Sequence, residues 1–216
     1  MQSDSLPCID EVIIGRFLKD ISENIINTKD ILKITENRRT SKWCSRYTYL
    51  YDGLYNIAKM QEFHYEHISG FHFGTYKELW DSYHKELYLM DTYYRRLHMD
   101  FRESLVSTLG MLDDLFKSAV VTADNLYKNW YLSELNGSWN SLIKESVADG
   151  FSLNKIPQQS DFYKNIVKPI ANDSRVFVII SDALRYEVAV ELTEKLLRET
   201  NGVAKLSAMQ SVFPSI

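Results

Sequence analysis

Glycine and proline are scarce in this sequence, and cysteine is scarcer still. The 216 residues include eight glycines, four prolines and two cysteines. Long stretches of the first three quarters contain neither glycine nor proline, which favours helices over many short strands. The cysteines, Cys8 and Cys44, match no metal-ligand spacing. We therefore expect no disulfide framework, and a reducing cytoplasm as the location.

Long apolar runs and an excess of positive charge are also missing. No run is long enough to cross a bilayer, and the first ten residues carry no export signal, so we expect neither membrane insertion nor export. The formal net charge of −4 argues against a surface that coats nucleic acid, so any such contact would be local. With 45% hydrophobic residues, the chain has the composition of a folded globular protein.

Two apolar series predict a pair of long helices. The first covers residues 43–68 in alternating steps of four and three, and the second covers residues 80–101. The segment 70–74, Gly-Phe-His-Phe-Gly, separates them. Gly53 lies inside the first helix at a cost of about 1 kcal/mol. Two such helices joined by a short loop predict a protruding antiparallel helical hairpin.

Weaker patterns predict the rest of the amino-terminal part. Three further helices are expected at residues 9–26, 105–135 and 138–147. A linker at residues 149–159 and a short helix at 161–170 follow. We therefore divide the chain into a helical region at residues 1–160 and the beginning of a second domain at 161–216.

The second domain is predicted to begin with a buried β-strand. Residues 176–180, Val-Phe-Val-Ile-Ile, form an apolar run that is typical of a central parallel strand. A helix at about residues 184–199 and a strand at about 203–209 complete one βαβ unit. A central strand needs more neighbours than this, so either the missing strands lie beyond Ile216 or the amino-terminal part supplies strands that its helical periodicity does not indicate. We expect the first, an α/β domain that is truncated.

Asp182 directly follows the first predicted strand. Ligands collect at the carboxyl ends of strands in open α/β sheets, so this carboxylate is well placed to hold a metal ion or a substrate. The alternative is that Ser181 or Asp182 caps the helix that follows. Position alone favours the cap.

The complete string at residues 176–187, Val-Phe-Val-Ile-Ile-Ser-Asp-Ala-Leu-Arg-Tyr-Glu, is more specific. Together with Phe-Pro-Ser-Ile at 213–216, it resembles the start of the PglZ domain. PglZ proteins belong to the alkaline phosphatase superfamily and act in BREX-type bacteriophage defence. Upstream, the segments 130–139 and 159–163 resemble the helical region that precedes this domain in the type A branch. The resemblance covers roughly residues 76–216.

This resemblance implies a metal-dependent phosphatase or phosphodiesterase. By resemblance Asp182 binds one of two catalytic divalent metal ions, usually zinc. The family nucleophile is a threonine directly after a Pro-Ser-aliphatic tripeptide, and here Pro214-Ser215-Ile216 ends the chain. The resemblance thus implies an inactive amino-terminal fragment that contains no catalytic residue, and metal only in the complete protein. Ser215 as nucleophile is disfavoured by the family spacing.

For three groups of basic or histidine side chains, a structural role is considered beside a functional one. Arg185 of the motif faces phosphate or forms a salt bridge. The histidines match no familiar ligand spacing, and the basic cluster near Trp43 is either a phosphate contact or a solvated helix start. These residues are His64, His67 and His72, and Arg38, Arg39, Lys42 and Arg46.

Three functions remain open at this stage. The first is the phosphohydrolase, with other BREX proteins as its implied partners. The second is a helical docking module that binds other defence proteins or nucleic acid without catalysis. The third, a response-regulator-like domain, needs about five strands where two are predicted. The substitution Asp182→Asn separates the first two, because it would abolish hydrolysis and spare partner binding.

Overall fold

The computed structural model is mostly helical in the residues that it describes. The described residues are 8–40, 44–106, 110–148, 153 and 155–211. The α-helices are α1 (Cys8–Ser22), α2 (Thr28–Arg38), α3 (Cys44–Glu66), α4 (Tyr76–Ser82), α5 (Tyr88–Val106), α6 (Met111–Asn125), α7 (Leu132–Ala148), α8 (Lys168–Ala171) and α9 (Tyr186–Glu199). Shorter helical turns are the π turns Tyr83–Leu87, Leu126–Tyr131 and Tyr163–Val167, and the 3-10 turn Gln159–Asp161.

The chain divides into two compact units. The first comprises the described residues of 1–72 and 89–137, and the second those of 73–88 and 138–216. In the first unit, α1 packs against α6, and α2 packs against α3. Its core consists of aliphatic and aromatic side chains from these helices and from α5. They include Ile14, Leu18, Ile21, Ile31, Tyr47, Leu50, Leu54, Ile57, Met60, Leu97 and Phe116.

The predicted first long helix is present as α3, but it does not protrude. Its buried residues lie on more than one face of the helix. Leu54 and Ala58 are buried on one face, and Asn56 and Met60 are buried on the opposite face. The helix contacts α1, α2 and α6 within the first unit, and the Asn56 amide donates to Asp100 of α5. The prediction that this hairpin protrudes was therefore wrong, because other helices of the first unit enclose α3 on several sides.

Gly53 has a packing reason that periodicity does not reveal. A Cβ atom at this position would lie 2.2 Å from Cζ of Phe116 on α6. Phe116 is fully buried and makes an edge-to-face contact with Phe101, at 5.3 Å between ring centroids. Its ring therefore has little room to move aside. The missing side chain lets α3 and α6 approach closely, which offsets the helix-propensity cost of glycine.

Asp100 is an acid in a half-buried, carboxylate-rich position between α3 and α5. Its Oδ2 accepts a hydrogen bond of 2.8 Å from Nδ2 of Asn56. Burial, and next the neighbouring carboxylate of Asp52, raise the pKa of Asp100 to about 7. Ionisation of this carboxyl group therefore costs free energy in the folded state.

We predict that Asp100→Asn stabilises the protein more as the pH rises. The folded pKa of Asp100 lies above its unfolded value, so its stabilising contribution is complete below about pH 4 and is lost as the pH rises through about 7. Between pH 5 and pH 8 the advantage of the asparagine variant in free energy of unfolding should grow by about 2 kcal/mol. Urea unfolding at the two pH values measures it.

The control for this experiment is Glu103→Gln, which removes an exposed carboxylate from the same helix. Its effect on the free energy of unfolding should be small and nearly independent of pH. An Asp100→Asn variant whose advantage is the same at pH 5 and pH 8 would contradict the raised pKa.

The second unit has a small core of its own. Ile143, Leu153 and Ile156 are buried, and three aromatic side chains pack against them, Tyr76, Trp80 and Trp139. A parallel β-bridge links Gln158 to Gln210. In this bridge, N of Gln210 donates to O of Pro157 and N of Gln159 donates to O of Gln210, both at 2.8 Å. Among the described residues, this bridge is the only β-type pairing.

The predicted βαβ unit is not formed. Its helix is present as α9, but residues 176–180 and 203–209 are irregular segments, and no strand occurs in the described parts of the chain. The apolar run is largely exposed, at 81% for Phe177, 90% for Ile179 and 86% for Ile180. A strand exists only when a neighbour pairs with its N–H and C=O groups, and within the described residues nothing pairs with this run.

The helix α9 is similarly uncovered on part of its apolar face. Leu192, Leu196 and Leu197 are each between 43% and 51% exposed. The segment after this helix alternates between more and less exposed residues from Val203 to Ala208, the period expected of a strand. The second unit thus exposes apolar side chains on the run at 176–180 and on α9.

Candidate functional site

Asp182 lies in an exposed turn between the apolar run and α9. Its carboxylate makes no hydrogen bond or ion pair with any described residue. The cap of α9 is Arg185, which has extended backbone angles, and no side chain caps the helix. The alternative that Ser181 or Asp182 caps this helix is therefore wrong. The carboxylate of Asp182 remains available to a ligand.

The next charged residues of the motif interact with each other. Nε of Arg185 lies 3.1 Å from Oε1 of Glu187. Glu187 is 1% exposed, whereas about half of the Arg185 side chain is accessible. Of the two predictions for Arg185, the structure contains the salt bridge. This pair fixes the first turn of α9, since a buried carboxylate needs a cationic partner.

Tyr186 begins α9 and packs into an aromatic cluster of the second unit. Its hydroxyl donates to the backbone carbonyl of His84 at 3.3 Å. Its ring centroid lies 4.5 Å from that of His84, 5.4 Å from that of Tyr88 and 6.0 Å from that of Tyr83. Burial, and next the Tyr88 hydroxyl, raise the pKa of Tyr186, so this hydroxyl remains a donor at neutral pH.

Sequence reasoning missed this aromatic cluster. His84 and Tyr186 are 102 residues apart in the sequence. Tyr83 belongs to a predicted helical stripe, and Tyr186 belongs to the motif, but no periodicity connects the two segments. The one local signal is the crowding of Tyr83, His84 and Tyr88 on a short stretch of helix.

The three histidines considered as metal ligands have separate partners. Nδ1 of His67 lies 2.9 Å from the carbonyl of Phe63, and Nε2 of His72 lies 2.6 Å from that of Ser69. The ring of His64 makes an edge contact with an indole, and Nδ1 of the same ring contacts a glutamine amide. Each of these rings therefore has a hydrogen-bonding or packing partner within the fold.

The arginines of the predicted phosphate contact are paired with carboxylates. Nη2 of Arg38 lies 2.8 Å from Asp10. Arg39 lies 3.6 Å from Asp52. The third, Arg46, lies 3.8 Å from a glutamate of α1. Lys42 and Trp43 lie outside the described residues. These contacts leave little positive charge for a nucleic-acid backbone, and the buried Arg38 does not fit a solvated helix start.

Asp182 fits a metal ion as one ligand of several. An exposed carboxylate without a protein partner is a good oxygen donor for a divalent cation. Within the described part of the chain, no three His, Cys, Asp or Glu side chains come together closely enough to hold a metal ion. Ser215, the disfavoured nucleophile, lies outside that part. A complete site therefore needs ligands in addition to Asp182.

No helix in the described stretches is both long enough and apolar enough to span a membrane.

Comparison with known proteins identifies the class of the second unit. Residues 162–216 match the family model of the BREX system PglZ alkaline phosphatase-like domain. The chain is 33% identical to the alkaline phosphatase-like protein BrxZ of Escherichia coli O9:H4 (strain HS), over 96% of this chain and 24% of that protein. No solved structure matches the chain.

A second curated relative extends the similarity over nearly the whole chain. It is the alkaline phosphatase-like protein PglZ of Bacillus cereus (strain H3081.97), with 30% identity over 99% of this chain and 24% of that protein. These matches confirm the resemblance to the PglZ family that was found in the motif. The chain spans about a quarter of the length of these two relatives.

Proposed function

We propose that this chain contributes the metal ligand Asp182 and the first elements of the catalytic domain to a metal-dependent phosphatase or phosphodiesterase that acts in BREX bacteriophage defence. The observation that carries the proposal is the exposed carboxylate of Asp182 in a turn directly after the apolar run at 176–180. Among the residues that the structure describes, no side chain neutralises it. Open α/β sheets bind their ligands at the carboxyl ends of their strands, and Asp182 would lie at such an end if residues 176–180 form a strand.

The exposed apolar surfaces support the proposal that this chain is part of a longer protein, comparable in length to its two relatives, whose further strands complete the catalytic domain. Burying a fully exposed isoleucine stabilises a protein by about 1.5–3 kcal/mol, so a run such as 176–180 is unfavourable in water. Val203, in the second predicted strand, is 98% exposed. We propose that both segments become strands when further strands pair with them. The division into a helical region at 1–160 and this domain at 161–216 is part of the same proposal.

The bound metal ion would polarise a phosphoryl oxygen and lower the pKa of a nucleophile. In this chain, Asp182 would be one ligand of the ion and would contribute negative charge to it. Catalytic zinc normally takes three protein ligands and one water, so the other ligands and the nucleophile belong to the remainder of the longer protein. The 216-residue chain alone should therefore bind zinc weakly and be inactive.

The test is hydrolysis of chromogenic phosphate mono- and diesters by the longer protein. Treatment with EDTA should abolish hydrolysis, and zinc should restore it, because the metal supplies the electrophile. Parallel reactivation with manganese or magnesium identifies the preferred ion. The matched control is the 216-residue chain, which should stay inactive with or without zinc. Hydrolysis that survives complete removal of metal would refute the proposal.

The proposed partners are other proteins of the BREX system, and the proposed location is the cytoplasm. The basis is the description of the matched domain as part of that system. The alternative of a docking module without catalysis makes a different prediction for the longer protein. In that case, the protein would bind its BREX partners and show no metal-dependent hydrolysis.

A further inference from the structure

The residues that follow the apolar run differ in their surroundings. Asp182 is exposed, whereas Tyr186 packs among aromatic rings and Glu187 is buried. We propose that Tyr186 is a positioning residue for Asp182, and that residues 76–88 form part of the scaffold of the metal site although they precede the matched domain. This inference rests on the proposed function, because it concerns how the same metal ligand is held.

Tyr186 is attached to that scaffold by two kinds of contact. The hydrogen bond from its hydroxyl to O of His84 fixes the distance and direction of the side chain. The ring contacts with His84, Tyr88 and Tyr83 fix its rotation. An edge-to-face arrangement has a preferred geometry, and here the planes of Tyr186 and Tyr88 meet at 80°. The start of α9 is therefore held in one place and one orientation.

The π turn Tyr83–Leu87 explains how three side chains of one helix reach the same ring. In a regular α-helix, residues five positions apart point about 140° away from each other. In a π turn the hydrogen bonds join residues five apart, so Tyr83 and Tyr88 lie on the same side, with His84 beside them. The irregular turn thus builds the socket that receives Tyr186. Such turns often occur at functional sites.

The turn that contains Asp182 needs support from its flanks. Ala183 has a φ of 55°, a left-handed conformation that residues other than glycine adopt only when the surrounding structure holds them there. Arg185 begins α9 without a side-chain cap. Only four peptide units join Asp182 to Tyr186, so the anchor limits where the carboxylate can go. The Arg185–Glu187 pair restrains the same turn.

The experiment compares Tyr186→Ala, Tyr186→Phe and Tyr88→Ala with the unchanged protein. In the 216-residue chain, amide hydrogen exchange of residues 181–188 reports how firmly the turn is held, without any metal. Tyr186→Ala should accelerate this exchange about tenfold or more. In the longer protein, the same variant should raise the zinc concentration that half-restores EDTA-treated enzyme by about tenfold, as loss of support to a metal ligand does.

The conservative variant distinguishes positioning from general destabilisation. Tyr186→Phe keeps the ring contacts and loses one hydrogen bond, so both effects should be about fivefold or less and smaller than those of Tyr186→Ala. Tyr88→Ala changes a residue before the matched domain and leaves the motif intact, so an intermediate effect tests the scaffold even where Tyr186→Ala folds poorly. Tyr163→Ala removes an exposed ring of the second unit and should change neither measurement.

The outcomes separate this inference from the proposed function. Unchanged exchange in Tyr186→Ala overturns the inference. Faster exchange with an unchanged zinc requirement also overturns it, because Tyr186 would then be structural only. If the unchanged longer protein needs no metal, the proposed function fails, and the positioning role fails with it. If the unchanged longer protein requires zinc but the variants show the same exchange and the same zinc requirement as that protein, the inference fails and the proposed function stands.

Discussion

Replacing Asp182 with asparagine in the longer protein is expected to lower kcat/KM for a chromogenic phosphodiester by at least about 100-fold. The amide keeps the size of the side chain and removes the negative charge that would hold a divalent cation. Loss of several kcal/mol of electrostatic stabilisation in the transition state corresponds to a factor of this order. Steady-state kinetics at saturating zinc measures the loss, and partner binding should be unchanged.

Asp173→Asn is the matched control for this prediction. Asp173 is another exposed aspartate of the second unit, and it follows α8 outside the motif. Its substitution removes the same charge from the same unit and should leave kcat/KM within about twofold, because isolated surface charges have small effects. An Asp182→Asn enzyme that retains more than a tenth of the activity would exclude Asp182 as a metal ligand.

The largest expected effect on stability comes from Asp10→Ala. Oδ1 of Asp10 accepts hydrogen bonds from Nε of Arg38 at 2.8 Å and from the Tyr51 hydroxyl at 2.5 Å, and Asp10 is fully buried. Burial, and next the bond to Asp10, raise the pKa of Tyr51 far above its ordinary value. Removing the carboxylate takes the anionic partner away from a buried guanidinium, which costs about 3–5 kcal/mol.

Urea unfolding of Asp10→Ala measures this cost. The control is Asp20→Ala, which breaks an exposed pair with Arg16 on the same helix, 3.7 Å apart, and should change the free energy of unfolding by less than about 1 kcal/mol. The double variant Asp10→Ala with Arg38→Met should recover a large part of the loss, because no buried charge remains. An Asp10→Ala protein as stable as Asp20→Ala would show that the buried pair contributes nothing.

The helices were largely predictable, and the strands were not. The apolar series at 43–68 and 80–101 correspond to α3 and to the succession of α4, a π turn and α5. A helix makes its hydrogen bonds between residues four apart, so the apolar periodicity of a short stretch of sequence is enough to predict it. The run at 176–180 has the composition of a strand, but a strand forms only with a partner segment, and composition cannot supply one.

The candidate site was predicted in the same uneven way. The string at 176–187 was enough to identify the family and to single out Asp182, because family motifs are local. The same string does not predict which residues Tyr186 contacts. Its partner His84 is 102 residues away, and the contact depends on the irregular π turn Tyr83–Leu87. Neither feature has a sequence period.

The sequence by itself determined the helical character of the chain, its family and the position of the acidic motif, because each depends on residues that are close along the chain. Only the tertiary structure decided which charges are neutralised and which remain available. Arg38 meets Asp10 between two helices, and Glu187 is buried beside Arg185, while Asp182 meets no partner within the described ranges of the chain. The reason is physical: such pairings depend on distances across the packed fold, and those distances arise only when the helices assemble.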